Sequence, residues 1–137
     1  MATRSEAYVD TSALIAFADA SDTHHDLFAR LFADPPSLVT TTLVLAEGQG
    51  WFLRRCGRAL ALRFLETLER MTPLTVVGVG AAEQAAAVEI LRRFPDQDLT
   101  FADAVGLHVM GVHAVRTCWS TDFHLGITGV PLVIDSR

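Results

Sequence analysis

The chain has 137 residues, half of them hydrophobic, which suits one domain with a substantial core and excludes a disordered chain. Eleven basic residues, all arginine, stand against 16 acidic ones, so bulk positive charge is not what would bring nucleic acid to it. No apolar run reaches the ~18 residues of a membrane span and no long apolar region opens the chain, so a cytoplasmic protein without a signal peptide is expected.

In chain order, Ala7-Tyr8-Val9 reads as a short buried strand with Asp10 at its tip, where a charge is costly unless something pairs with it. Residues 12 to 33 read as two helices, broken near residues 19 to 22, with Ser21 or Asp22 capping the second. The β-branched SLVTTT at 37 to 42 is a second strand, and Thr41 or Thr42 can cap the helix that follows, which carries Glu47. Gly57 separates it from a helix over 58 to 71. LTVVGV at 74 to 79 is a third strand, and 81 to 94 an alanine-rich helix. Past Pro95, Thr100 and Asp103 have capping-box spacing. AVRTCWS at 114 to 120 is a fourth strand, and PLVI at 131 to 134 a fifth at the sheet edge. This alternation predicts an α/β fold over 1–137: a single three-layer α/β/α domain around a mainly parallel sheet of about five strands. The two cysteines, Cys56 and Cys118, fit no zinc or CxxC spacing and read as reduced thiols.

Functional crevices in such sheets lie at the carboxyl ends of the strands. Asp10, Glu47, Asp103 and Asp122 each follow a strand or open a helix, so all four are expected at that end. Singly, each fits a structural role: a helix cap, a first-turn acid, a box partner, a turn residue. Together, four converging carboxylates would have to protonate in part or share a cation. Hard, oxygen-seeking Mg²⁺ or Mn²⁺ suits them and points to phosphate-ester chemistry. The histidines are scattered and match no metal-ligand spacing; His124, near Asp122, could touch a phosphate, but a surface or packing role is expected for it.

The same residues carry a resemblance. YVDTSALIAFAD, TTTLVLAEGQGWFLRR, DLTFADAVGLHVM and CWSTDFHLGITGVPLV resemble, in order and spacing, the blocks of the PIN-domain family over nearly the whole chain. Leu125 stands where many relatives have Phe, and Gly48 follows the second acid. The resemblance implies a Mg²⁺- or Mn²⁺-dependent endoribonuclease of the VapC toxin type, with RNA as substrate, a cognate antitoxin as partner and a homodimeric state. It implies Asp10, Glu47, Asp103 and Asp122 as catalytic metal ligands, with Thr11, Ser12 and Thr121 in support. Cleavage would leave a 5′-phosphate and a 3′-hydroxyl. Arg54, Arg55 and Arg58, beside Trp51 and Phe52, could bind RNA backbone and stack a base, although a solvated helix face with buried aromatics explains them as well.

The alternatives are a housekeeping RNA-processing nuclease of the same fold and a non-catalytic binding module. A haloacid-dehalogenase-type phosphatase is disfavoured, because Ser12 stands where it needs a second Asp. A flap-type DNA nuclease needs extra acids and helices for which 137 residues leave no room.

Overall fold

Four short strands form the centre of a computed structural model that describes residues 4–135. The order along the chain is β1 (Ala7–Val9), α1 (Thr11–Ala18), α2 (His25–Ala33), β2 (Leu38–Thr41), α3 (Thr42–Cys56), α4 (Arg58–Arg70), β3 (Leu74–Val77), α5 (Ala81–Arg93), α6 (Phe101–Val112) and β4 (Thr117–Trp119). All pairings are parallel and the spatial order is β3-β2-β1-β4. The fold is the α/β architecture expected.

The central strands are buried on both faces, as parallel strands between helices must be. Every residue of β1 and β2 is buried. Tyr8 points to one face, where its ring meets α6 at Gly106; a Cβ there would lie 2.9 Å from the Tyr8 hydroxyl. Val9 and its register partner Trp119 point to the other face. There Phe32 of α2 meets Trp119 edge-on at 5.0 Å and Phe17 of α1 at 4.9 Å. Burying a side chain such as Phe32 stabilises the fold by about 1.5–3 kcal/mol, while Phe17 remains partly exposed. The α3–α4 hairpin packs as closely: a Cβ on Gly48 would fall 2.3 Å from the Phe64 ring.

Two expectations need correction. The fifth strand reduces to one bridge, Cys118 to Leu132. Pro131 can accept, and its carbonyl takes the Cys118 N–H at 2.9 Å, but it has no N–H to extend a ladder. The chain then winds into a 3₁₀ turn at Val133–Asp135. Helix α2 is capped neither by Ser21 nor by Asp22 directly: His24 is the N-cap residue, and Asp22 accepts the His24 N–H one turn earlier, at 2.8 Å. Thr41 and Thr100 cap α3 and α6 as expected.

Among the described residues, no helix is long and apolar enough to cross a membrane. Both cysteines are free, Cys56 exposed and Cys118 buried.

Candidate active site

A cleft of about 560 Å³ opens where β1 ends, and Asp10, Glu47, Asp103 and Asp122 all line it. A wider concavity, about 770 Å³ between α5 and α6, holds none of them. Each acid arrives by a simple local rule. Asp10 is the N-cap residue of α1, held in place by its N–H to the Trp119 carbonyl at 3.0 Å. Its side chain makes no cap bond and is left for the cleft. Glu47 lies on α3. Asp103 closes the α6 capping box, its N–H donating to Thr100 Oγ1 at 3.0 Å while its Oδ2 accepts the Thr100 N–H at 3.2 Å. Asp122 caps the 3₁₀ turn Phe123–Gly126.

Asp10 is held from two directions. Ser12 Oγ and Ser120 Oγ both donate to its Oδ2, at 2.8 and 2.9 Å. Each hydroxyl has one proton, so the 3.2 Å contact between the two oxygens is proximity, not a third donation. As acceptors they take the N–H of Thr121 (into Ser12, 3.0 Å) and of Asp122 (into Ser120, 2.9 Å). Two relays thus run from the loop after β4 through a hydroxyl to one carboxylate oxygen. Thr121 enters this network by its backbone; the side chain that supports the fourth acid is that of Ser120, which the sequence reading missed. Its signal was present: a small hydroxyl residue closing a buried strand opposite Asp10. Thr11 Oγ1 donates to Glu47 Oε1 at 3.3 Å.

Burial pushes the Asp10 carboxyl above the ordinary aspartate range, against the pull of the Ser12 and Ser120 hydroxyls, and the Asp103 charge adds to the rise. Glu47 is exposed as a residue, yet desolvation raises its carboxyl too, with Asp10 and Asp103 adding to it and Thr11 opposing. Without a cation the charged forms are therefore disfavoured, and among the described residues Arg54 is the one basic residue lining the cleft. This is the chemistry of a hard-cation site: many oxygen acceptors, too few protein donors. The tightest group is Asp103, Asp122 and His124, whose ligand atoms lie within 4.8 Å of one another. His124 was expected at the surface or in packing. Instead its Nδ1 lies 3.0 Å from Asp122 Oδ1, which also accepts the His124 N–H at 3.0 Å.

Of the three arginines, Arg54 lines the cleft with Trp51. Arg55 sits over the Trp51 ring, 5.0 Å from its centroid. Arg58 opens α4, exposed and outside the cleft lining. Phe52 is buried and Trp51 half-buried.

Two predictions follow from these contacts. Ser120→Ala removes one of the two donors to Asp10 and the acceptor of the part-buried Asp122 N–H. It is expected to destabilise the fold by about 1–3 kcal/mol and to weaken Mn²⁺ binding about 10- to 100-fold, read by thermal unfolding and by calorimetric titration. The second concerns pH. The unfolded chain gives up the Asp10 and Glu47 protons near 3.8 and 4.5, and the folded chain gives them up later. Their contribution to stability is therefore complete below those values and is lost as pH rises through the raised ones. Burial lowers the His113 pKa, so His113 titrates with the opposite sign. The measurement is thus the difference in melting temperature between wild type and Asp10→Asn in EDTA, which should widen from acidic toward neutral pH in disfavour of the wild type. A pH-independent difference would refute it.

Residues 7–124 match the PIN domain family. Over 123 residues, the chain is 30% identical to the 23S rRNA-specific endonuclease VapC20 of Mycobacterium tuberculosis, covering 89% of this chain and 93% of that protein. It is 29% identical over 115 residues to ribonuclease VapC26 of the same organism, covering 83% and 84%. The crystal structure of VapC20, a sarcin-ricin loop cleaving toxin, superposes with a TM-score of 0.84 at 29% identity, covering 93% and 98%. A toxin–antitoxin complex from Klebsiella pneumoniae shares the fold, with a TM-score of 0.64 at 15% identity over 92% and 93%.

Proposed function

The chain belongs to the PIN-domain family and is a VapC-type endoribonuclease; from that premise we propose that Asp10, Glu47, Asp103 and Asp122 are its catalytic metal ligands and that structured RNA is its substrate. The observation that carries the reading is the convergence of four acids from distant parts of the chain on one cleft. PIN nucleases depend on a divalent cation, and the oxygen-rich donor set favours Mg²⁺, with Mn²⁺ also fitting. When bound, the cation supplies phosphate neutralisation and a lowered water pKa.

The rest is the work of this chain's own side chains. Ser12 and Ser120 hold Asp10 Oδ2 at a set position, from which it would ligate the cation. Thr11 restrains Glu47. Arg54, inside the cleft, is placed to pair with a non-bridging phosphate oxygen, while Arg55 on Trp51 stiffens the wall beside it. Arg58 serves the flanking backbone. In-line attack by a water oxygen would form the new P–O bond as the bond to the 3′ oxygen breaks; that oxygen takes up a proton and leaves as a hydroxyl, and the phosphate stays on the 5′ oxygen of the downstream fragment.

The whole chain, 1–137, acts as one domain and, as the toxin of a type II pair, is silenced by a cognate antitoxin. A homodimer is part of the same reading, and light scattering on the eluting protein tests it. Ribosomal RNA, the substrate of VapC20, is the first to try. Purified chain is incubated with total bacterial RNA in Mg²⁺, in Mn²⁺ and in EDTA. Discrete fragments with 5′-phosphate ends, absent in EDTA, are expected. RNA left intact by folded, metal-loaded protein would favour the non-catalytic module. Cleavage with no toxicity on expression would favour the housekeeping nuclease.

A further inference from the structure

An acidic nuclease must hold RNA partly by contacts that do not depend on charge. The residue after Asp122 offers one. Phe123 is 68% exposed, more than any other large hydrophobic side chain described. It is not loosely placed. Leu125 buries its side chain beneath the 3₁₀ turn, and Asp122 pins the His124 backbone and ring. The His124 imidazole lies stacked on Phe123, centroids 4.2 Å apart and planes at 29°. One face of the phenyl ring is thus backed and the other is open. Phe123 also borders a shallow concavity of about 320 Å³, with Ile127, Val130 and Pro131 among its walls.

Resting on the ribonuclease reading above, we propose that Phe123, backed by His124, is the stacking platform for a nucleobase flanking the phosphate cut in the cleft. RNA loops are recognised by splaying bases onto aromatic rings, and such stacking tolerates any base because each has a π-face. Phe123 does not itself line the cleft but directly follows Asp122, which does, so a nucleotide leaving the cleft past that acid is the one its ring would meet. The contact adds affinity without countercharge, so it is insensitive to salt, unlike a contact from Arg54 to phosphate.

The test uses an RNA hairpin that the wild type cuts, intact or with an abasic nucleotide on either side of the cut bond. Phe123→Ala is expected to lower kcat/KM for the intact RNA ten-fold or more, at low and high salt alike, and to change little on the abasic RNA whose gap removes the stacked base. Phe123→Trp should cut the intact RNA as the wild type does. Melting temperature and Mn²⁺ affinity should stay unchanged in both variants. Wild-type activity in Phe123→Ala, or an equal loss on intact and abasic RNAs, would overturn the proposal. So would unchanged cleavage with weakened antitoxin binding, which would make the ring a protein contact. If the wild type cuts no RNA, the ribonuclease reading fails first and this one falls with it.

Discussion

Replacing Asp10 with Asn is expected to lower kcat/KM at least ~10³-fold, since a cation's stabilisation of the transition state amounts to several kcal/mol and each 1.36 kcal/mol is ten-fold. The amide oxygen can still accept from Ser12 and Ser120, so the frame survives and the charge is what goes. The same change is expected to raise the melting temperature in EDTA, because burial disfavours the Asp10 charge. It should also abolish the gain in melting temperature that Mn²⁺ gives the wild type by mass action. Lost activity together with raised metal-free stability is the signature of a ligand, and a merely structural aspartate would lose both. Cleavage within ten-fold of wild type would remove Asp10 from the chemistry.

Gly106→Val should be strongly damaging although it lies away from the acids. Its Cβ would fall 2.9 Å from the Tyr8 hydroxyl and 3.1 Å from Cζ of the same ring, and Tyr8 is buried in the sheet with nowhere to swing. Overpacking of this kind costs about 3 kcal/mol, read as a lower urea midpoint at constant slope. The loss extends to activity. Helix α6 carries Asp103 and β1 leads into Asp10, so a helix pushed off the sheet widens the cleft, and a displacement of ~1 Å can lower turnover about 100-fold. Gly106→Ala should show a smaller form of both effects, and Tyr8→Phe combined with Gly106→Ala should recover part of the stability, because the hydroxyl is the nearest atom. Equal urea midpoints for wild type and Gly106→Val would show that the helix does not depend on this approach.

Much of this molecule was legible in its sequence because its signals are local. Thr41 and Thr100 announce helix starts, Gly57 and Pro95 announce stops, and the β-branched run at 37 to 42 announces a strand. The acids were legible by position, each just past a strand or early in a helix. What escaped depends on partners far along the chain. Ser120 matters because Asp10 lies opposite it across the β1–β4 pairing, a relation between residues 110 apart. His124 joins the acids only because the 3₁₀ turn folds its ring back on Asp122. The fifth strand failed for a local reason: PLVI is apolar and β-branched enough, but Pro131 has no N–H to extend a ladder, and only one bridge to Cys118 forms. Gly106 gave no hint of its role, since a helix glycine explains itself only once the ring it admits is known.

The pairing of β1 with β4 also bears on how such an enzyme is made. Synthesis delivers Asp10 and Ser12 first, while Ser120 and Asp122 emerge more than a hundred residues later. Until β4 docks beside β1, Asp10 lacks one of its two hydroxyl donors and the cleft lacks its fourth acid. A chain still on the ribosome therefore carries an incomplete site for more than a hundred residues of its synthesis. The site closes only once the last strand has cleared the exit tunnel, so three of its four acids are made before the cleft can form.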